Sequence, residues 1–270
     1  MLVTPEEDTP RAAFTRLSWR LNLVVVAALI AVSVLAWRST IEQANSMSGM
    51  AMGLGQIGSR IQGSMSAALF LTMWLTMMVA MMLPTIAPMV LAHVAVARRR
   101  GDGSLSALAF IGGYLLVWTA IGVVPMIAYW AFAQLSDEAA QSRWLPALAG
   151  TILIVAGAYQ FASSKRVCLD KCQSPFAFVA MHDFEGGAWS ALRAGVVHGA
   201  FCLGCCWALM AVLVVVGLMN LMWMVGIFVL FFVEKHWTHG IVLAKTAGIA
   251  LMTLGAAVIA RPAVLALISQ

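Results

Sequence analysis

Charge is scarce in this chain. Asp, Glu, Lys and Arg make up only 10% of its 270 residues, where a soluble domain carries about 25%. Hydrophobic residues supply 62%, and the mean hydropathy is +0.93. A soluble fold of this length cannot hide so much apolar surface, so that class is excluded. The sequence also lacks a phosphate-binding glycine loop, a nucleotide motif, a nucleophile–base–orienter set, a low-complexity tract and a clear internal repeat. ATP-driven pumping by this chain alone is therefore not expected, and a binding or carrier protein is favoured over an enzyme. The pI near 9.2 does not argue for nucleic acid, because the basic residues sit in short segments between apolar runs, as topology signals do. No small-x-small cleavage pattern follows the first apolar run, which ends Leu35-Ala36-Trp37-Arg38; an uncleaved helix is expected there rather than a signal peptide.

What is present is a series of apolar runs at 21–37, 67–97, 107–133, 147–162, 194–217, 220–234 and 241–260. A helix needs ~20 apolar residues to span a bilayer. The expected fold is all-α: a polytopic transmembrane helix bundle of about seven spans, with six also compatible because the fourth and sixth runs are short. Pro84 and Pro88 predict a kink in the second helix. Segment 1–20 reads as a cytoplasmic N-terminal piece, 21–37 as the first transmembrane helix, 38–66 as an outer loop containing methionine, 67–260 as the bundle carrying the ligand motifs, and 261–270 as a tail. Placing the N-terminus in the cytoplasm leaves Arg38, Arg60, Arg143 and Arg261 outside and Lys245 in the last run, so eleven of the 16 Lys and Arg fall inside. That bias sets the orientation, with the C-terminus outside.

The stretch HGAFCLGCCWALM, His198 to Met210, places a histidine and three cysteines in an apolar run. A helix turns about 100° per residue. With His198 at zero, Cys202 lies near about +40°, Cys205 near about −20° and Cys206 near about +80°, all on one face and, in this topology, in the inner half of the helix. Gly195, Gly199 and Gly204 allow another helix to come close. On the same side arrive Cys168 and Cys172, from the expected loop SSKRVCLDKCQSP, and Glu234, His236 and His239 from VEKHWTH. Thiolates with imidazole suit copper(I), zinc or an iron–sulfur centre. A single membrane cysteine is usually packing, but this grouping favours a metal or redox site, and a reducing compartment argues against disulfides. Glu234 and Lys235 can be an interfacial helix end, or Glu234 can pair with Lys245 across the short turn.

Methionine is abundant, at 18 residues. Met47, Met50 and Met52 stand in the outer loop as MSGMAM; Met78, Met82, Met89 and His93 share one face of the second run, with Met73, Met77 and Met81 in a neighbouring stripe. Thioethers select copper(I), so an outer methionine loop, a methionine ladder and an inner thiol cluster describe a path for copper. Methionine also fills gaps in apolar cores, and helical stripes of it are more often packing than ligand.

The blocks AMMLPTIAP, GGYLLVW, AGAYQFASSKRVCLDKCQSP, HGAFCLGCCWALM and GLMNLMWMVGIFVLFFVEK, from Met73 to Lys235, resemble a bacterial family of predicted metal-binding integral membrane proteins, titled domain of unknown function 2182. The resemblance implies a bacterial inner (cytoplasmic) membrane location and points to Cys168, Cys172, Cys202, Cys205 and Glu234 as motif positions. It implies no activity, and Met47–Met52 lies outside it. The favoured function is a membrane metal-binding protein that transports, delivers or inserts a soft metal, copper ahead of zinc, through Cys168, Cys172, Cys202, Cys205, Cys206, His198, Glu234 and His236. One alternative is a membrane thiol oxidoreductase pairing Cys202/Cys205 with Cys168/Cys172; another is a structural or assembly subunit whose metal staples helices. The expected partners are the lipid bilayer and other membrane or periplasmic metal-handling proteins, with neither nucleic acid nor nucleotide.

Overall fold

A computed structural model describes residues 10–48, 50, 52–57, 65–101, 104–133, 144–175, 178 and 187–269, with side chains from residue 22 onward except at 104, 132 and 133. The described chain is all-helical: α1 Pro10–Ser46, α2 Ala67–Met82, α3 Ala87–Arg99, α4 Ser104–Ile121, α5 Val123–Ala133, α6 Trp144–Tyr159, α7 Ser163–Gln173, α8 Gly187–Val216, α9 Leu221–His236, α10 Gly240–Ala260 and a short α11, Ala263–Ile268. Four stretches are long and apolar enough to cross a membrane: Asn22–Ser46, Leu105–Ala131 (α4 running on into α5), Gly187–Val216 and Gly240–Ala260. The bent pairs α2/α3 and α6/α7 raise the number to six. The sixth run departs from expectation. It forms α9, whose 16 residues extend about 24 Å, short of a hydrocarbon core of about 30 Å. By length and composition alone, the described residues therefore hold four to six candidate spans. Helix α1 runs past residue 37 to Ser46, the expected 261–270 tail contains α11, and Arg60 and Arg143 lie outside the described residues.

The kink in the second run is present. Helices α2 and α3 meet at 43° across a 3₁₀ turn at Pro84–Ile86. Proline has no N–H to donate, so carbonyls near the break lose helical partners; the Thr85 hydroxyl donates to the Met82 carbonyl at 2.8 Å. The expected loop after the fourth run is instead α7, bent 62° from α6. Its composition is polar, yet Lys165 and Leu169 are buried and Cys172 is half-buried, a +4, +3 spacing that gives one inward helical face.

Helix α8 is the axis of the bundle, and small residues let α4 lie directly on it. A Cβ at Gly195 would collide with the Phe110 carbonyl, one at Gly113 with the Leu192 carbonyl, and one at Gly199 would press on Val117 at 3.0 Å. Such backbone proximity is how apolar helices gain packing where no hydrophobic drive exists between them. Helices α6 and α10 pair similarly, through Gly157 against Gly248 and Gly150 against Gly255. Both contacts fix the rotation of α8 and the height of α6, from which α7 departs.

Candidate metal centre

The thiols of α8 come first. Cys202, Cys205 and Cys206 are buried, and their sulfurs all lie within 4.8 Å of one another. Adjacent residues diverge by about 100° on a helix, yet the Cys205 and Cys206 sulfurs approach to 3.2 Å. Cys205 turns back onto its own helix, its thiol donating to the Cys202 carbonyl at 3.1 Å. The cluster stands halfway along Gly187–Val216, because that helix begins seven residues before the apolar run.

A fourth thiol arrives from another helix. The inward face of α7 carries the Cys172 sulfur to 3.9 Å from that of Cys205. Cys168, one turn earlier, does not follow it. Its sulfur packs against Gly204, where a Cβ would lie 2.6 Å away, and it remains half-buried. All five cysteines are free.

Two polar side chains complete the floor. The Lys235 ammonium stands 3.1 Å from the Cys202 sulfur and donates to Thr85 Oγ1 at 3.1 Å, with the Met82 sulfur at 3.9 Å. The kink at Pro84 thus presents Thr85 and Met82 to the cluster. From α4, Tyr114 Oη lies 3.1 Å from the same Cys202 sulfur. Neither Tyr114 nor Lys235 emerged as a site residue from sequence. A lysine one residue from the end of an apolar run was the available signal; Tyr114 offered none beyond being one of 3 tyrosines.

Glu234 lies beside the centre but not in it. Its carboxylate accepts from Lys165 Nζ at 2.9 Å and 3.2 Å, with the two side chains only 2% and 0% exposed. Lys165 also donates to Gln160, and the Gln173 amide donates to the Glu234 carbonyl at 2.6 Å. The expected Glu234–Lys245 pair is therefore replaced by Glu234–Lys165, which pins α7 to α9.

His198 is buried among Phe110, Tyr114 and Phe178, with ring centroids 6.0, 5.9 and 5.2 Å away. Its Nδ1 has no hydrogen-bond partner among the described residues. With Cys172, Met89, Gln173, Pro175 and Lys235 it lines a cavity of about 200 Å³ whose mouth includes the exposed Pro88 and His236. His236 itself stacks on Phe232 at 4.3 Å and stays at that mouth; exposed His239 faces Thr238. On the methionine ladder, Met82 and Met89 reach the cluster or its cavity, Met78 is packed in the core, and His93 stacks on Phe110 at 4.9 Å and bonds Ser106 at 3.0 Å. Met47, Met50 and Met52 belong to the other end of the bundle, where Met52 accepts from the Leu218 N–H at 3.1 Å, about 20 Å along α8 from the thiols.

Donor chemistry and spacing can be checked together. Sulfurs bound to one ion at about 2.3 Å, as in zinc thiolates, stand at most about 4.6 Å apart. The three α8 sulfurs, within 4.8 Å of one another, stand close to that limit, and the Cys172 sulfur lies inside it from Cys205. A family model described as a copper chaperone, PpoB2, matches residues 71–258. The chain belongs to this family. The matched region takes in every residue of the thiol centre and leaves Met47, Met50 and Met52 outside. No curated protein and no solved structure matches the chain. The copper chaperone family and the three-thiol cluster together support a copper-handling role with a soft-metal centre.

Proposed function

We propose that this chain is a multi-pass membrane copper chaperone that holds copper(I) between Cys172 of α7 and Cys202, Cys205 and Cys206 of α8, and passes it on by thiol exchange through the cavity beside Cys172. The observation that carries the reading is the meeting of four thiols from two helices: the three α8 sulfurs lie within 4.8 Å of one another, and the Cys172 sulfur of α7 stands 3.9 Å from that of Cys205. Soft sulfur donors select copper(I). Copper(I) held by two of the four as thiolates, the other two remaining neutral thiols, is singly negative, and the adjacent Lys235 ammonium brings the assembly to neutrality, which favours a buried site. Release also has a route. Cys172 is the one ligand on the bent helix α7, and it faces the cavity that opens beside His236, so an incoming thiol can replace it first.

The Lys/Arg bias supports an N-terminus in the cytoplasm of a bacterial inner membrane, which puts the mouth of that cavity on the cytoplasmic side. His198, with its unpartnered ring nitrogen, is a fifth donor available during exchange. Other membrane or periplasmic metal-handling proteins are the partners such a chaperone would serve. The test is metal content by mass spectrometry on protein purified anaerobically in detergent. About one copper per chain, lost in Cys202→Ser/Cys205→Ser and in Cys172→Ser, supports the reading. Zinc in its place contradicts it, as does metal-free protein carrying a Cys172–Cys205 disulfide, the signature of a thiol oxidoreductase.

A further inference from the structure

We infer that a second copper(I) site, made of thioethers alone, lies at the opposite end of the bundle in a vestibule formed by Met47, Met52, Met219 and Met222; it rests on the copper reading above and adds a capture site to it. The sequence offered only the first two, beside Met50. The structure brings the turn between α8 and α9 onto the loop after α1, so that these four methionines line one cavity of about 280 Å³. Met50 does not line it; its N–H closes the turn onto the Met47 carbonyl at 2.9 Å.

The vestibule is held in shape. Gln56 Oε1 accepts from the Met52 N–H at 2.8 Å, and its amide donates to the Ser269 carbonyl at 3.1 Å. Leu218 N–H donates to the Met52 carbonyl at 3.1 Å. Gly53 packs on Gly217 so tightly that a Cβ would lie 2.5 Å from the Gly217 nitrogen, and Gly217 itself has φ +119°, open to glycine at little cost. Three distant parts of the chain are thereby locked around the methionines. Core filling does not account for all four, since Met222 is 83% exposed and Met47 and Met219 are half-buried.

The donor set also discriminates. The remaining lining is alanine, leucine and uncharged polar side chains, with no acid, base, histidine or thiol among the described residues. Neutral thioethers are soft ligands and offer a divalent ion no compensating charge, so the site takes copper(I) or its analogue silver(I). It binds more weakly than the thiol centre for the same reason. Thioethers carry no proton, and binding there is independent of pH across the range in which thiols titrate.

The experiment is a silver(I) titration of the full chain in detergent. With Cys172, Cys202, Cys205 and Cys206 all changed to Ser, about one silver ion per chain should still bind, equally at pH 5 and pH 8. Adding Met47→Leu, Met52→Leu, Met219→Leu and Met222→Leu should abolish it; these swaps nearly conserve volume and are usually mild. Placed in the wild-type chain, the four Leu changes should lower the silver count by about one while leaving the thiol-bound ion, which reports correct folding and needs no cysteine change. The proposal is overturned if the methionine changes leave the silver count unaltered in both backgrounds, or if the residual binding falls between pH 8 and pH 5. A failure of the thiol centre would show separately, as loss of the cysteine-dependent ion with the methionine-dependent one retained.

Discussion

Glu234→Gln should destabilise the protein strongly, and Lys165→Met should do so too, whereas joining the two changes should restore most of the loss without releasing copper. The Lys165 ammonium and Glu234 carboxylate meet at 2.9 Å with side chains 0% and 2% exposed. Removing one partner from such a pair leaves an uncompensated buried charge and costs about 3–5 kcal/mol, while replacing both by apolar or neutral groups is often close to neutral. A loss of 3 kcal/mol lowers the folded-to-unfolded ratio more than a hundredfold. The assay is a double-mutant cycle on unfolding free energy in detergent, with copper per chain measured on each variant. Coupling near the single-mutant cost, with copper retained in the double variant, fits a helix clamp between α7 and α9. Loss of copper from a stable double variant would make Glu234 a ligand and refute this geometry.

Lys235→Met keeps the volume of the side chain and removes the charge beside Cys202; copper retention against a competing chelator should fall by about tenfold or more, with the stoichiometry at saturation unchanged. Cys168→Ser should leave copper stoichiometry intact, because that sulfur packs on Gly204, whereas Cys202→Ser should abolish it. Gly195→Leu should prevent folding, since any side chain there strikes the Phe110 carbonyl; loss of a monodisperse species in size-exclusion chromatography reads it directly. His198→Phe should preserve thermal stability while slowing copper transfer to a soluble thiol acceptor, measured by stopped-flow chelation.

Most of the bundle was legible because membrane helices write themselves as apolar runs, and Pro84 marks its own kink. The single-face placement of His198, Cys202, Cys205 and Cys206 followed from helical spacing alone. Helix α7 was not legible: SSKRVCLDKCQ is polar, and its helical fold depends on burying Lys165 against Glu234, 69 positions away. That pairing also decides which of two lysines meets Glu234, a choice that local spacing assigned to the nearer Lys245. Cys168 and Cys172 looked equivalent in sequence, and only the rotation of α7 separates a thiol that joins the cluster from one that faces Gly204. Met219 and Met222 carried no such signal in the sequence, and only the turn between α8 and α9 brings them against the first loop.

The most direct test of the central claim is X-ray absorption at the copper edge on anaerobically loaded protein, compared between wild type and Cys172→Ser. A single copper(I) site held by α7 and α8 together predicts a sulfur-only first shell in the wild type and a smaller sulfur count in the variant. Nitrogen or oxygen dominating the shell, or a shell indifferent to the loss of Cys172, would contradict it.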